Sequence, residues 1–205
     1  MPIIDRVPGY EYDVFISYSS VGSAPKWLLN NFFQKFLDCL HDQVAPAPRV
    51  FLDKGMDRGV HWPAELQKAL RHSKIMIAVL SPPYFQSPWC LAEWRSMRAR
   101  ERLLGLASPQ CPQGLIYPLL YSDSENFPDE EGLQRAWWNF KELALPDKVF
   151  QESRDWLLFH QRVADVARDV VELVRQVPDW QPDWPVIEVP EPLLLPQPSI
   201  PRFGR

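Results

Sequence analysis

The chain has 205 residues, a formal net charge of -4 and 46% apolar residues. That length suits one domain with an appendage, and the apolar share excludes wholesale disorder. Mild acidity disfavours a duplex-binding protein, which needs a cationic surface against phosphates, so no nucleic-acid partner is expected. No window approaches the apolar length of a membrane span, and Met1 to Val7 lacks the pattern of a signal peptide. Cys39, Cys90 and Cys111 are odd in number and widely spaced, which fits reduced thiols in a cytoplasmic protein. His41, His61, His72 and His160 form no ligand motif, so no metal is expected.

The elements follow in chain order. Tyr12-Asp-Val-Phe-Ile-Ser-Tyr18 reads as a buried strand. From Pro25 to His41 the residues Trp27, Leu28, Phe32, Phe36, Leu37 and Leu40 recur at helical spacing, with Phe33 widening the stripe. Arg49 to Asp53 is a second strand, and the glycines and charges of Lys54 to Gly59 make a loop. A short helix covers Trp62 to Arg71. Lys74 to Leu80 has the continuous apolar core of a central parallel strand. After the break at Ser81 to Pro88, Trp89 to Leu104 reads as a helix with arginines on its outer face.

Gly114 to Tyr121 is a fourth strand, in which Pro118 indicates an edge position or an irregularity. Residues 122–149 are polar, contain the pair Trp137-Trp138 and support no firm assignment. Arg154 to Val177 is a closing helix. Eight of the 22 prolines fall within Pro178 to Arg205, where no helix or inner strand tolerates them. This segment is expected to be extended. It is either a linker or docking peptide, or a strap laid over the domain through Trp180, Trp184 and Leu193 to Leu195. The exposed cost of those side chains favours partial docking.

Repeated alternation of strand and helix predicts an α/β, doubly wound parallel sheet, in which ligands bind beyond the carboxyl ends of the strands. That rule selects Ser17 to Ser20, Asp53 to Gly59 and Ser81 to Glu93. There is no phosphate-binding glycine loop, no G-x-G-x-x-G and no G-x-S-x-G elbow. The residues after the first strand are Ser17, Tyr18, Ser19 and Ser20 rather than the paired acids of a phosphoacceptor. What remains is Trp89 and Glu93, one helical turn apart, an aromatic plate beside a carboxylate. The pair suits a flat ring joined to a sugar, although a core tryptophan beside a solvated glutamate is the commoner meaning of such spacing.

Tyr12-Asp-Val-Phe-Ile-Ser-Tyr-Ser-Ser20, Val50-Phe-Leu-Asp53, Arg58-Gly59, Ile77-Ala-Val-Leu-Ser81, Tyr84 and Ser87-Pro-Trp-Cys-Leu-Ala-Glu93 occur in the order and spacing of the TIR (Toll/interleukin receptor) family. The match resembles its bacterial and plant members most and spans residues 10–177, leaving 178–205 as a proline-rich tail. The resemblance implies a flavodoxin-like sheet in a single domain. It also implies an NAD+ nucleosidase that splits the nicotinamide–ribose bond in signalling, immunity or defence, giving ADP-ribose or a cyclised product. NAD+ would be the substrate, with no cofactor.

Glu93 then matches the catalytic position, while Tyr18 and Trp89 match contacts to the nicotinamide side. Asp53 and Arg58 belong to the family's mobile loop. Trp62 is a second aromatic candidate, and Ser17 and Ser19 stand at the strand end among the substrate-binding candidates. The resemblance further implies homotypic assembly that completes the site, with an effector or sensor domain linked through the tail. The tail covering an assembly face would leave the isolated chain autoinhibited. The competing reading is a non-catalytic scaffold in which Glu93 is inherited without a task.

Overall fold

The structure is a computed structural model and describes residues 9–53, 62–123 and 138–188, with the backbone alone at 62 and 63. Five strands form one parallel sheet in the order β2-β1-β3-β4-β5. They are β1 (Tyr12–Tyr18), β2 (Val50–Leu52), β3 (Ser73–Leu80), β4 (Ile116–Leu120) and β5 (Trp138–Asn139). This is the flavodoxin-like order, in which the chain reverses direction across the sheet between β1 and β3. The central strands bear out the reading of continuous apolar runs. Every residue from Ile75 to Leu80 is buried, since helices cover both faces.

Helices α1 (Ala24–Trp27) and α2 (Phe33–Gln43) are joined through a π-helical turn, Leu28–Phe32, within the expected helix. The extra residue of a π turn rotates the apolar stripe. Leu28, Asn31 and Phe32 are all buried there, and Asn31 donates to the Leu145 carbonyl at 2.9 Å. Trp27 is the hub of this side. It packs against Phe32, Tyr121, Phe140 and Phe159 at centroid distances of 5.3 to 6.0 Å, and its indole donates to the Leu143 carbonyl. Helix α6 (Asp155–Gln176) packs on α2 and adds Phe159, Val163, Val166, Ala167 and Val170 to the core.

The opposite face carries α3 (Trp62–Arg71), the short α4 (Pro82–Gln86) and α5 (Pro88–Leu103). One expectation fails here. The arginines of α5 do not all lie outside, because Arg100 is fully buried. Its guanidinium donates to the carbonyls of Leu70 and Arg71, at the end of α3, and of Ser73, at the start of β3. Carbonyls that end a helix lack intrahelical donors, so a buried cation can serve as their cap. Burial lowers the Arg100 pKa to about 10, which leaves it charged at neutral pH. Next to it, Glu101 is equally buried and accepts from the amides of Leu115 and Ile116 and from Arg98.

Pro118 stands opposite Ala78 in the pairing with β3, while β5 pairs only with Leu119 and Leu120. On its outer side Pro118 therefore meets no strand among the described residues, a locally edge-like setting for a residue with no amide proton. β5 begins at Trp138, in the stretch that the sequence left unassigned. Its indole and the Tyr117 hydroxyl both donate to Asp169 of α6.

Residues 178–188 run along α3 and α5 without regular structure. Trp180 stacks on His72 at 5.0 Å and donates to the Arg71 carbonyl. Trp184 is buried with the Arg100 guanidinium 5.0 Å over its ring, and the Ile187 amide donates to Ser96. Residues 189–205, with the leucines Leu193 to Leu195, lie outside the described residues. Truncating Trp184 to alanine should cost about 3 kcal/mol, the scale for a buried aromatic. Urea denaturation of the full chain measures it, and a loss under 1 kcal/mol would show that this stretch adds nothing to the fold.

Candidate active site

β1 and β2 end beside one another, and the N-terminal turn of α5 projects over those ends. The start of α5 is dictated locally. Ser87 is the N-cap and accepts from the Cys90 amide, while Pro88 fills the first helical position, where no amide donor is needed. This start orients Trp89, Cys90 and Glu93 toward a cavity of about 260 Å3 at the carboxyl edge of the sheet. Its described lining is Phe15, Ile16, Ser17, Tyr18, Ser20, Asp53, Leu66, Ser87, Trp89, Cys90 and Glu93. Val186 and Ile187 of the tail reach the back of the wall formed by Leu66, Trp89 and Glu93.

The polar groups converge on one carboxyl. Ser17 Oγ donates to Glu93 Oε2 at 2.5 Å and lies 2.9 Å from the Tyr84 hydroxyl. Burial raises the Glu93 pKa to about 8, with the nearby Asp53 charge adding to the rise and the Ser17 hydrogen bond opposing it. Cys90 is pushed up to about 12, chiefly by burial and then by Glu93, so its thiol stays protonated and inert. The Tyr18 hydroxyl donates to the Asp53 carbonyl and ties the ends of β1 and β2 together.

Ser17, Tyr18, Asp53, Trp89 and Glu93 are thus brought to one cavity. Ser19 is not part of the lining. It is buried, and its hydroxyl accepts from the Val21 amide to close a local turn. Arg58 lies outside the described residues, as does the side chain of Trp62, whose backbone opens α3. Ser20, Ser87 and Cys90 fall within the strand-end segments the sequence selected without being named as site residues, whereas Phe15, Ile16 and Leu66 lie outside those segments. Ser87 was findable as the serine before Pro88 at a helix start, whereas Leu66 carries no signal beyond an amphipathic helix. Among the described residues no group of three or more His, Cys, Asp and Glu side chains could hold a metal, and no helix is long and apolar enough to cross a membrane.

A family model for the TIR domain matches residues 14–143. The chain belongs to the TIR family. Among solved structures, this TIR domain is similar to that of the Toll-related receptor TRR-2 from the lower metazoan Hydra magnipapillata. Identity is 19% and the TM-score 0.47, covering 78% of this chain and 98% of that one. It is also similar to the TIR domains of the activated Roq1 resistosome that directly recognises the pathogen effector XopQ. Here identity is 22% and the TM-score 0.37, with 81% and 96% covered. No curated protein matches it. Similarity at this level does not say which residues of this TIR domain act, so the site rests on its own geometry.

The raised pKa makes a stability prediction. Between about pH 4.5 and 8 the folded chain holds a proton on Glu93 that the unfolded chain releases. Wild-type stability should therefore fall as pH rises through that window. Glu93→Gln has no such proton, so its stability advantage over wild type should grow from pH 5 to pH 8, by on the order of 3 kcal/mol. Chemical denaturation at both pH values checks this, and an advantage that does not change with pH would place Glu93 in a wetter setting.

Proposed function

We propose that this TIR domain cleaves the nicotinamide–ribose bond of NAD+ and that Glu93 is the catalytic residue. The reading is carried by one observation, a half-buried carboxyl held by Ser17 beside the Trp89 indole in a cavity at the end of the parallel sheet. A volume of about 260 Å3 is just below the roughly 300–1,000 Å3 of pockets that enclose drug-sized ligands. It suits the ring and sugar of one nucleotide and not an entire dinucleotide. The remaining wall would come from further residues, and homotypic assembly is the family's way of supplying them.

The chemistry asks little of the protein. The nicotinamide ring nitrogen is cationic in NAD+, so nicotinamide departs as a neutral molecule without a general acid. Departure leaves an oxocarbenium-like ribosyl cation, which a carboxylate in a poorly solvated site stabilises. The cationic ring also acts on Glu93 before the bond breaks. A positive charge entering the cavity favours the ionised form and lowers the Glu93 pKa from its value in the empty site. Trp89 offers a face for the nicotinamide, and Tyr18, by holding Asp53, keeps the rim in place. Water then gives ADP-ribose, and a nucleobase nitrogen gives a cyclic or exchanged product. Free Cys39, Cys90 and Cys111 fit a reducing compartment, and the cytoplasm is the proposed location.

A second reading, a scaffold that assembles and signals without turnover, draws support from the same carboxyl. With a pKa of about 8, Glu93 is mostly neutral in the empty site at physiological pH. Incubating the concentrated full chain with NAD+ and separating the products distinguishes the two. We expect nicotinamide release, a loss of about a hundredfold or more in Glu93→Ala, and kcat/KM rising with pH toward a midpoint near 8 in the free protein. Trp89→Ala should raise KM about tenfold through lost stacking. Undiminished turnover in Glu93→Ala would remove Glu93 from the mechanism. No turnover at any protein concentration would favour the scaffold.

A further inference from the structure

Tyr84 lies on α4, outside the cavity lining, and none of its ring or hydroxyl is exposed. A phenol that contributes only to the core has no need of its oxygen, and Phe85 and Trp94 pack against the ring edge-on. The hydroxyl nevertheless reaches Ser17 Oγ at 2.9 Å, its one hydrogen-bond partner among the described residues. A buried hydroxyl that donates to nothing costs about 1–3 kcal/mol. Tyr84 therefore places its proton on Ser17, and Ser17, itself buried, must place its own proton elsewhere. It points to Glu93 Oε2 at 2.5 Å.

The direction of the chain has a chemical consequence. A proton on Glu93 Oε2 would face the proton of Ser17, so the neutral acid must carry its proton on Oε1, and the bond from Ser17 strengthens when the carboxyl ionises. Oε1 and the unused lone pairs of Oε2 are left for the cavity. We propose that Tyr84 is a positioning residue for NAD+ cleavage, which orients the Ser17 hydroxyl so that Glu93 meets the substrate as a directed carboxylate. The proposal rests on the catalytic reading of Glu93 given above.

Among the described residues, the groups that face Glu93 leave this role to Tyr84. Of those described, from β1 come Ser17 and Tyr18, from the end of β2 Asp53, from its own helix Cys90, from α4 Tyr84, and from α3 the uncharged Leu66, Gln67 and Leu70. Asp53 favours the protonated acid and Cys90 stays a neutral thiol. Tyr18 spends its proton on the Asp53 carbonyl. Burial holds the Tyr84 hydroxyl well above its ordinary range, so it remains a proton donor at any working pH.

The test compares the wild-type full chain with Tyr84→Phe, which keeps the ring and removes the proton. Carboxyl 13C labelling of glutamate, with the Glu93 resonance assigned through Glu93→Gln, gives its titration midpoint without substrate. Tyr84→Phe should raise that midpoint by about half to one pH unit, since the carboxylate loses an oriented donor. The pH midpoint of kcat/KM should move equally, with kcat on the alkaline plateau changed less than threefold. A folded Tyr84→Phe protein whose Glu93 midpoint is unmoved or lower overturns the proposal, because a merely structural hydroxyl would change stability and not titration. Should that variant not fold, Ser17→Ala keeps the Tyr84 ring in place and must also raise the midpoint. A midpoint that stays or falls there overturns it equally. A resonance that shifts as expected in a wild-type chain that does not cleave NAD+ would sink the catalytic reading and leave the hydrogen-bond chain standing.

Discussion

Helix α5 is anchored to the sheet by two buried charges of opposite sign that do not pair with each other, and the cavity depends on them. Arg100 donates to three carbonyls through its terminal nitrogens and lies over an indole face, and Glu101 accepts from two strand amides and Arg98. Taking either ion out of water is expensive, and removing the partners of a buried charge typically costs about 3–5 kcal/mol. The two residues consequently hold α3, β3 and β4 in fixed relation to one helix. Glu93 lies two turns earlier on that helix. A carboxyl intended to face a reacting bond needs this kind of indirect rigidity, since its own surroundings are kept polar and partly open.

The tail belongs to the same arrangement. Trp184 lies beneath Arg100, Trp180 lies on His72 just after α3, and Val186 and Ile187 back the wall that Trp89 and Glu93 present to the cavity. Proline-rich composition prevents this stretch from forming a helix or an inner strand, yet its aromatic side chains still have apolar surface to bury. The result is a strap in which Trp184, Val186 and Ile187 lie against the Glu93 helix. Its amide at Ile187 bonds to Ser96, one turn from Glu93 on the same helix.

At the cavity, two opposing electrostatic influences meet on one group. Burial and Asp53 push Glu93 toward the neutral acid, whereas the Ser17 hydrogen bond, and a cationic substrate when present, draw it toward the carboxylate. A group balanced in this way responds strongly to what enters the site. The same balance explains why Cys90, closer to the helix start, is not a competing nucleophile: it shares the burial but has no cationic neighbour among the described residues to stabilise a thiolate.

Much of this was legible in the residues. A β-rich run marked β1, a continuous apolar run marked β3, and the break at Ser81 to Pro88 marked the approach to α5. Strand-to-helix alternation placed ligands at the carboxyl ends, where Ser17, Tyr18, Asp53, Trp89 and Glu93 do meet. These features are local, set by backbone preferences and side-chain period over a few residues. Arg100 was misread because a charged residue on a helix is usually solvated, and only the packing of α3 against α5 brings carbonyls to its guanidinium. β5 was missed because two residues carry no period. The link from Tyr84 through Ser17 to Glu93 joins positions 67 and 76 residues apart from Ser17, a distance that no motif spans. Sequence alone determined the family of elements and the chemistry available at their ends. Tertiary structure decided which protons point where, because hydrogen-bond direction depends on what else each buried donor can reach.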